Sequence, residues 1–135
     1  MIANQHVHVL DEFNNFMEEE IYQMMVATTE DQDELILENT TTLKVARWWN
    51  RACDIIPCNG GKDIGIQKIL DYFNFNKEEA TAFGDGGNDI SMLKYVGTGV
   101  AMGNAKDNVK AIADYITDSV QEDGIVSALK HFEII

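Results

Sequence analysis

Proline occurs once and cysteine twice in 135 residues, and lysine plus arginine number only 10 against 23 aspartates and glutamates. Each scarcity excludes something. One proline alongside 45% hydrophobic residues rules out a disordered or proline-rich chain and implies one ordinary folded domain's worth of core. Cys53 and Cys58 are too few for a four-ligand zinc site, and no histidine follows at ligand spacing. A disulfide between them stays open in principle, but a pair of thiols is the expectation. With a formal net charge of −13, the chain lacks the cations that nucleic-acid phosphates or an anionic membrane surface demand, so neither is expected as a partner. No apolar run approaches the roughly 20 residues of a bilayer span. The N-terminus lacks the basic and apolar regions of a secretory signal, so a cytoplasmic location is expected.

The acidity is uneven. Residues 1–58 carry 3 basic and 11 acidic side chains, and residues 59–135 carry 7 and 12, which places a candidate boundary near residue 58. Within 1–58, Val9, Leu10, Phe13, Phe16 and Met17 fall at helical spacing over residues 7–20. Residues 22–27 read as a strand, and residues 30–38 as a short acidic helix with Leu35 facing inward. Residues 43–48 and 53–56 read as two strands joined by a turn at Asn50-Arg51, with Trp48 and Trp49 on alternate faces, one of them in the core. This half is a small α+β unit ending at Pro57.

Beyond Asn59, helices and short apolar strands alternate. Lys62 opens a helix carrying Ile66, Ile69, Leu70 and Phe73, and Asn76 caps a turn before a strand at residues 80–83. A helix with Ile90, Met92 and Leu93 follows, then a buried strand at 99–102 and a helix with Val109 and Ile112 capped by Asn104. A short strand at 115–117 and a final helix with Ile125, Ala128, Leu129 and Phe132 complete the chain. Alternation of this kind predicts an α/β fold with a parallel sheet, in which ligands sit beyond the carboxyl ends of the strands. Three such strands are few for a sheet that helices bury on both faces.

One stretch concentrates the chemistry: Thr81-Ala82-Phe83-Gly84-Asp85-Gly86-Gly87-Asn88-Asp89-Ile90. An apolar strand runs into a turn with three glycines, two carboxylates and an amide. Glycine permits close approach, and carboxylates at a strand end are hard ligands suited to Mg²⁺ and through it to phosphate. A turn that merely caps the next helix uses the same residue types. Lys62, between a glycine pair and a helix start, is either a solvated surface lysine or a counter-charge for a phosphate.

Other motifs lead nowhere. Gly97 to Gly103 has the glycines of a dinucleotide fingerprint but the strand and helix in reversed order. Asp31-Gln32-Asp33 has the spacing of a phosphoryl-transfer pair, yet no apolar strand enters it, so a solvated acidic helix is expected. His6, His8 and His131 have no nucleophile in motif context.

Four blocks in order, Ile56-Pro57 to Gly61-Lys62, Phe83 to Leu93, Val100 to Ala105 and Glu122 to Ile125, resemble the haloacid dehalogenase (HAD) superfamily, specifically the Cof-type sugar-phosphate phosphatases with an inserted α/β cap. The resemblance implies a partial Rossmann-like HAD core over residues 59–135 and a partial α+β cap over residues 1–58. It implies Mg²⁺ as cofactor and a small phosphorylated metabolite as substrate. It also implies Asp85 as metal ligand and Asp89 supporting the metal directly or through water. Asn88 would contact the substrate or its phosphoryl group, and Lys62 would neutralise charge beside the phosphate.

The chain departs from that pattern at its start. The family's strand into Asp-x-Asp-Gly-Thr, whose first carboxylate attacks phosphorus, is absent from residues 1–135. The expectation is therefore a truncated, C-terminal portion of such a hydrolase, inactive alone, with a non-catalytic phosphate- or metal-binding or assembly module as the alternative. A mis-started gene would be recognised from the codons upstream of Met1. Without its neighbour, the strand ending at Asp85 becomes an apolar edge, and the chain is expected to self-associate there or pair with a missing N-terminal half.

Overall fold

Strands form where β-branched and aromatic residues alternate, and the computed structural model describes them over residues 20–135. The helix expected over 7–20 lies outside these residues except for Glu20, as do His6 and His8.

The first sheet comprises β1 (Met24–Val26), β2 (Leu43–Trp49) and β3 (Ala52–Pro57) in the order β1-β3-β2, all antiparallel. The Asn50-Arg51 turn closes the β2–β3 hairpin as expected. Lys44 lies opposite Ile56 and Ala46 opposite Asp54, but the register shifts between Arg47 and Trp49. Trp48 is the extra residue, and an inserted residue bends its strand and re-aims a side chain. Neither tryptophan enters the core, contrary to expectation: Trp48 is half-buried and Trp49 is exposed.

The second sheet comprises β4 (Thr81–Gly84), β5 (Thr98–Ala101) and β6 (Tyr115–Ile116), parallel and in sequence order. Its central strand buries Gly99, Val100 and Ala101 in succession, because a middle parallel strand is covered on both faces. Around it run α2 (Lys62–Phe73), α3 (Ile90–Tyr95), α4 (Asp107–Lys110) and α5 (Gly124–His131), with α1 (Asp33–Leu37) beside the first sheet. Ala82, Leu93, Val96, Ala101, Ala105 and Val109 form the core, with Ile66, Ile90 and Ile112 packed against it. Full burial of Leu93 or Val109 contributes about 1.5–3 kcal/mol each. β4 pairs only with β5 among the described residues, so its other edge is open.

Local periodicity misjudged three places. Leu35 does not face inward; it is 69% exposed, since α1 is too short and too acidic to bury a face. On α2, Ile66 meets the core while Ile69 and Phe73 are 59% and 61% exposed, leaving half of the apolar stripe uncovered. Asn104 does not cap α4, whose N-cap is Lys106. Among the described residues no helix is long and apolar enough to cross a membrane. Cys53 is buried and Cys58 exposed, both as free thiols, and burial pushes the Cys53 thiol up so that it stays uncharged.

The two sheets meet where the loop after β4 passes β2. A Cβ at Gly87 would stand 2.6 Å from the Arg47 carbonyl oxygen, and backbone yields little to such a clash. Gly87→Ala is therefore expected to destabilise the fold by about 1–3 kcal/mol, read as a lower denaturation midpoint in urea.

Candidate active site

β4 ends at Gly84, and the chain turns through Asp85 and Gly86 into a single 3-10 turn, Gly87–Asp89, before α3 begins. The turn is built around the Asp89 carboxylate, which is 5% exposed. Its Oδ2 accepts the backbone N–H groups of Asp85 at 3.0 Å and Gly86 at 2.9 Å, and its Oδ1 accepts the Lys62 ammonium. Lys62 is the first residue of α2, so this ion pair ties the start of one helix to the turn that opens another. Burial by itself would raise the Asp89 carboxyl. The Lys62 hydrogen bond and the two loop amides outweigh burial and hold it below the usual carboxylate range.

Asp85 has the opposite environment. Its carboxylate is exposed and accepts one hydrogen bond, 3.0 Å from Asn104 Nδ2. The Asn104 Oδ1 in turn accepts the Val120 N–H at 3.0 Å. Asn104 thus connects the strand-end carboxylate to the segment that follows β6. Asn88 folds back over Gly86, where a Cβ would stand 2.7 Å from its Oδ1. The structure therefore brings Lys62, Asp85, Asn88 and Asp89 to one place, in unequal roles: Asp89 takes three donors from the protein, and Asp85, with one, is free to take a ligand.

A cleft of about 450 Å³ opens at this place, lined by Trp48, Lys62, Asp85, Asn88, Asp89, Asn104 and Lys106. Trp48, Asn104 and Lys106 were not among the candidate residues of the sequence. Asn104 lay within a motif block but was assigned to helix capping from its local sequence. Trp48 arrives through the bulge of β2, which hydropathy does not register. The Asp-x-Asp pair behaves as a structural element: Asp33 pairs with Arg47, which also donates to the Thr28 carbonyl at 2.8 Å. His131 stacks on Tyr115, with ring centroids 4.2 Å apart, away from this cleft's lining.

Among the described residues no three histidine, cysteine or acidic side chains converge as a metal cage. The donors present fit Mg²⁺ in a narrower sense. That ion keeps several waters and is held by one or two carboxylates together with substrate phosphate. An exposed Asp85 carboxylate with Asp89 behind it, in a cleft that also holds Lys62, matches that donor set.

Comparison with known proteins identifies the family. A family-wide profile of haloacid dehalogenase-like hydrolases matches residues 2–129. The YkrA protein of Bacillus subtilis (strain 168) is 40% identical over 116 residues, which cover 86% of this chain and 45% of that protein. The 5-amino-6-(5-phospho-D-ribitylamino)uracil phosphatase YitU of the same organism is 44% identical over 89 residues, 64% of this chain and 33% of that protein. Among solved structures, the HAD subclass IIB sugar phosphatase BT4131 superposes with a TM-score of 0.84 at 43% identity, covering 91% of this chain and 47% of that one. The chain thus spans less than half the length of these relatives. It belongs to the haloacid dehalogenase-like hydrolase family, in its Cof-type branch.

Proposed function

We propose that this chain corresponds to the C-terminal part of a Mg²⁺-dependent phosphatase of small phosphate esters such as sugar phosphates. In this reading residues 1–58 are the trailing part of a substrate-selecting cap and residues 59–135 the second half of the catalytic core. The observation that carries it is one exposed carboxylate, Asp85, at the carboxyl end of β4, beside a lysine that Asp89 anchors to the same loop. YitU is a phosphatase and BT4131 a sugar phosphatase, which supports the substrate class.

Each side chain then has a separate task. Asp85 would hold Mg²⁺ directly and Asp89 through water; when bound, the ion supplies positive charge to the phosphoryl oxygens. Lys62 adds a second positive charge beside the same group, where positioning and charge stabilisation dominate the barrier. Asn88 donates its amide N–H to a phosphoryl oxygen or to the substrate body. Asn104 keeps the Asp85 carboxylate aimed outward. Attack on phosphorus needs a carboxylate at the cleft beside Asp85, and the sole Asp-x-Asp pair, Asp31 and Asp33, is not part of that lining, with Asp33 bound to Arg47 besides. The chain alone should therefore not turn over.

With Mg²⁺ and p-nitrophenyl phosphate, the expected result is no hydrolysis by the chain alone. Hydrolysis should appear on adding the nucleophile-bearing N-terminal half of a subclass IIB relative. In that mixture Asp85→Ala should lower the rate by about 10²–10³-fold. Mg²⁺ binding and assembly without turnover in the mixture would instead favour a non-catalytic module. Turnover by the unmixed chain that disappears in Asp85→Ala would sink the argument from the missing nucleophile.

The open edge of β4 carries a second prediction. At micromolar concentration the chain should sediment as a dimer or larger species in ultracentrifugation, and a monodisperse monomer would count against edge pairing.

Asp89 carries a third. Its folded-state carboxyl lies below its unfolded value, so its stabilisation is present above the unfolded pKa and is lost as pH falls through the folded one. Asp89→Asn should cost about 1–3 kcal/mol at pH 7, and the gap to the unaltered chain should narrow as denaturation is followed below the ordinary carboxylate pKa of about 3.9. A gap that stays constant with pH would show that the carboxylate charge does not hold the loop.

A further inference from the structure

Only 10 lysines and arginines serve this chain, yet Lys44, Arg47, Lys62 and Lys94 all line a second, larger cleft of about 740 Å³. It lies between the first sheet and the α2–α3 side of the core, and it shares Lys62 and Asn88 with the cleft at Asp85. Asp54 also lines it. Two of the four cations are committed within the protein, Arg47 to Asp33 and Lys62 to Asp89. Lys44 and Lys94 form no ion pair among the described residues.

These two come from different elements. Lys44 projects from β2, and a Cβ at Gly61 would stand 3.4 Å from its Nζ and 2.9 Å from Asp63 Oδ1, so the ammonium lies beside the residue preceding Lys62, with the Asp63 carboxylate on the same glycine but in no ion pair with it. Gly61 has φ +125°, a conformation and a space that only glycine supplies comfortably. Lys94 lies on α3, the helix that leaves the loop of Asp85 and Asp89. The smaller cleft is balanced, Lys62 and Lys106 against Asp85 and Asp89. The larger one is cationic in a protein of net charge −13, and a concave wall focuses that potential onto whatever enters.

The phosphatase reading already seats the leaving-group portion of the ester in the larger cleft, and we propose that Lys44 and Lys94 bind a second anionic group on it there, a carboxylate or another phosphate. Asp54 accepts a hydroxyl or amine of the same molecule. The preferred substrates are then phosphomonoesters that carry an additional negative charge. Lysine, a compact point charge, suits either anion. The proposal rests on the phosphatase reading and narrows its substrate class.

Isothermal titration of the whole chain in excess Mg²⁺ tests it with four probes. These are inorganic phosphate, glucose 6-phosphate, 2-phosphoglycolate and fructose 1,6-bisphosphate. At least one of the last two should bind about tenfold more tightly than glucose 6-phosphate, from one charge-assisted contact more. The tighter of the two identifies carboxylate or phosphate as the second group. The double variant Lys44→Met, Lys94→Met should lose this preference and keep its affinity for inorganic phosphate. Lys44→Arg should retain it, which separates lost charge from lost fold. Equal binding of all three esters by the unaltered chain, or a preference that survives the double variant, overturns the second-anion subsite and leaves the phosphate site standing. Failure of every probe to bind, inorganic phosphate included, overturns both.

Discussion

One buried carboxylate holds the functional half of this molecule together. Asp89 gathers two loop amides on one oxygen and the Lys62 ammonium on the other, so the turn after β4 and the start of α2 share a single anchor. A buried charge is costly unless its partners are in place, and here they are, which is why the loop has one shape rather than several. Asp85 can remain exposed with a single hydrogen bond because Asp89 has already organised its backbone. Two aspartates four positions apart thus divide structure and chemistry between them.

The same division runs through the cations. Arg47 is consumed in binding Asp33 and the Thr28 carbonyl, which fastens the segment around α1 to the first sheet. Lys62 is shared between its ion pair and the open cleft, with its side chain 49% exposed. A chain so poor in positive charge gathers several of its lysines around two adjoining clefts rather than dispersing them for solubility, a role its acidic residues already fill.

Much of the fold was legible in advance. The strands of both sheets, the glycine-rich turn and the helix opening at Lys62 follow from apolar runs punctuated by glycine, asparagine and proline, signals that act over a few residues. Leu35, Ile69 and Phe73 were less legible, because helical spacing identifies an apolar stripe but not whether anything arrives to cover it. Asn104 shows a related blindness. Its local sequence favours a cap, and its actual partners, Asp85 and Val120, lie 19 residues before it and 16 after. Trp48 reaches the cleft through a one-residue register shift, a property of strand pairing rather than of β2 itself.

Residue order alone marks the family, through four blocks in order, and supplies Lys62, Asp85, Asn88 and Asp89. Residues 1–135 contain no Asp-x-Asp-Gly-Thr run. Which carboxylate takes three donors and which takes one depends on folding, because Lys62 and Asn104 reach the loop from other segments of the chain. In Gly84-Asp85-Gly86-Gly87-Asn88-Asp89 the resemblance already gave Asp85 the metal and left Asp89 to support it directly or through water. Folding makes one of them the loop's anchor and leaves the other facing solvent, since only one can occupy the position where two amides and the Lys62 ammonium converge.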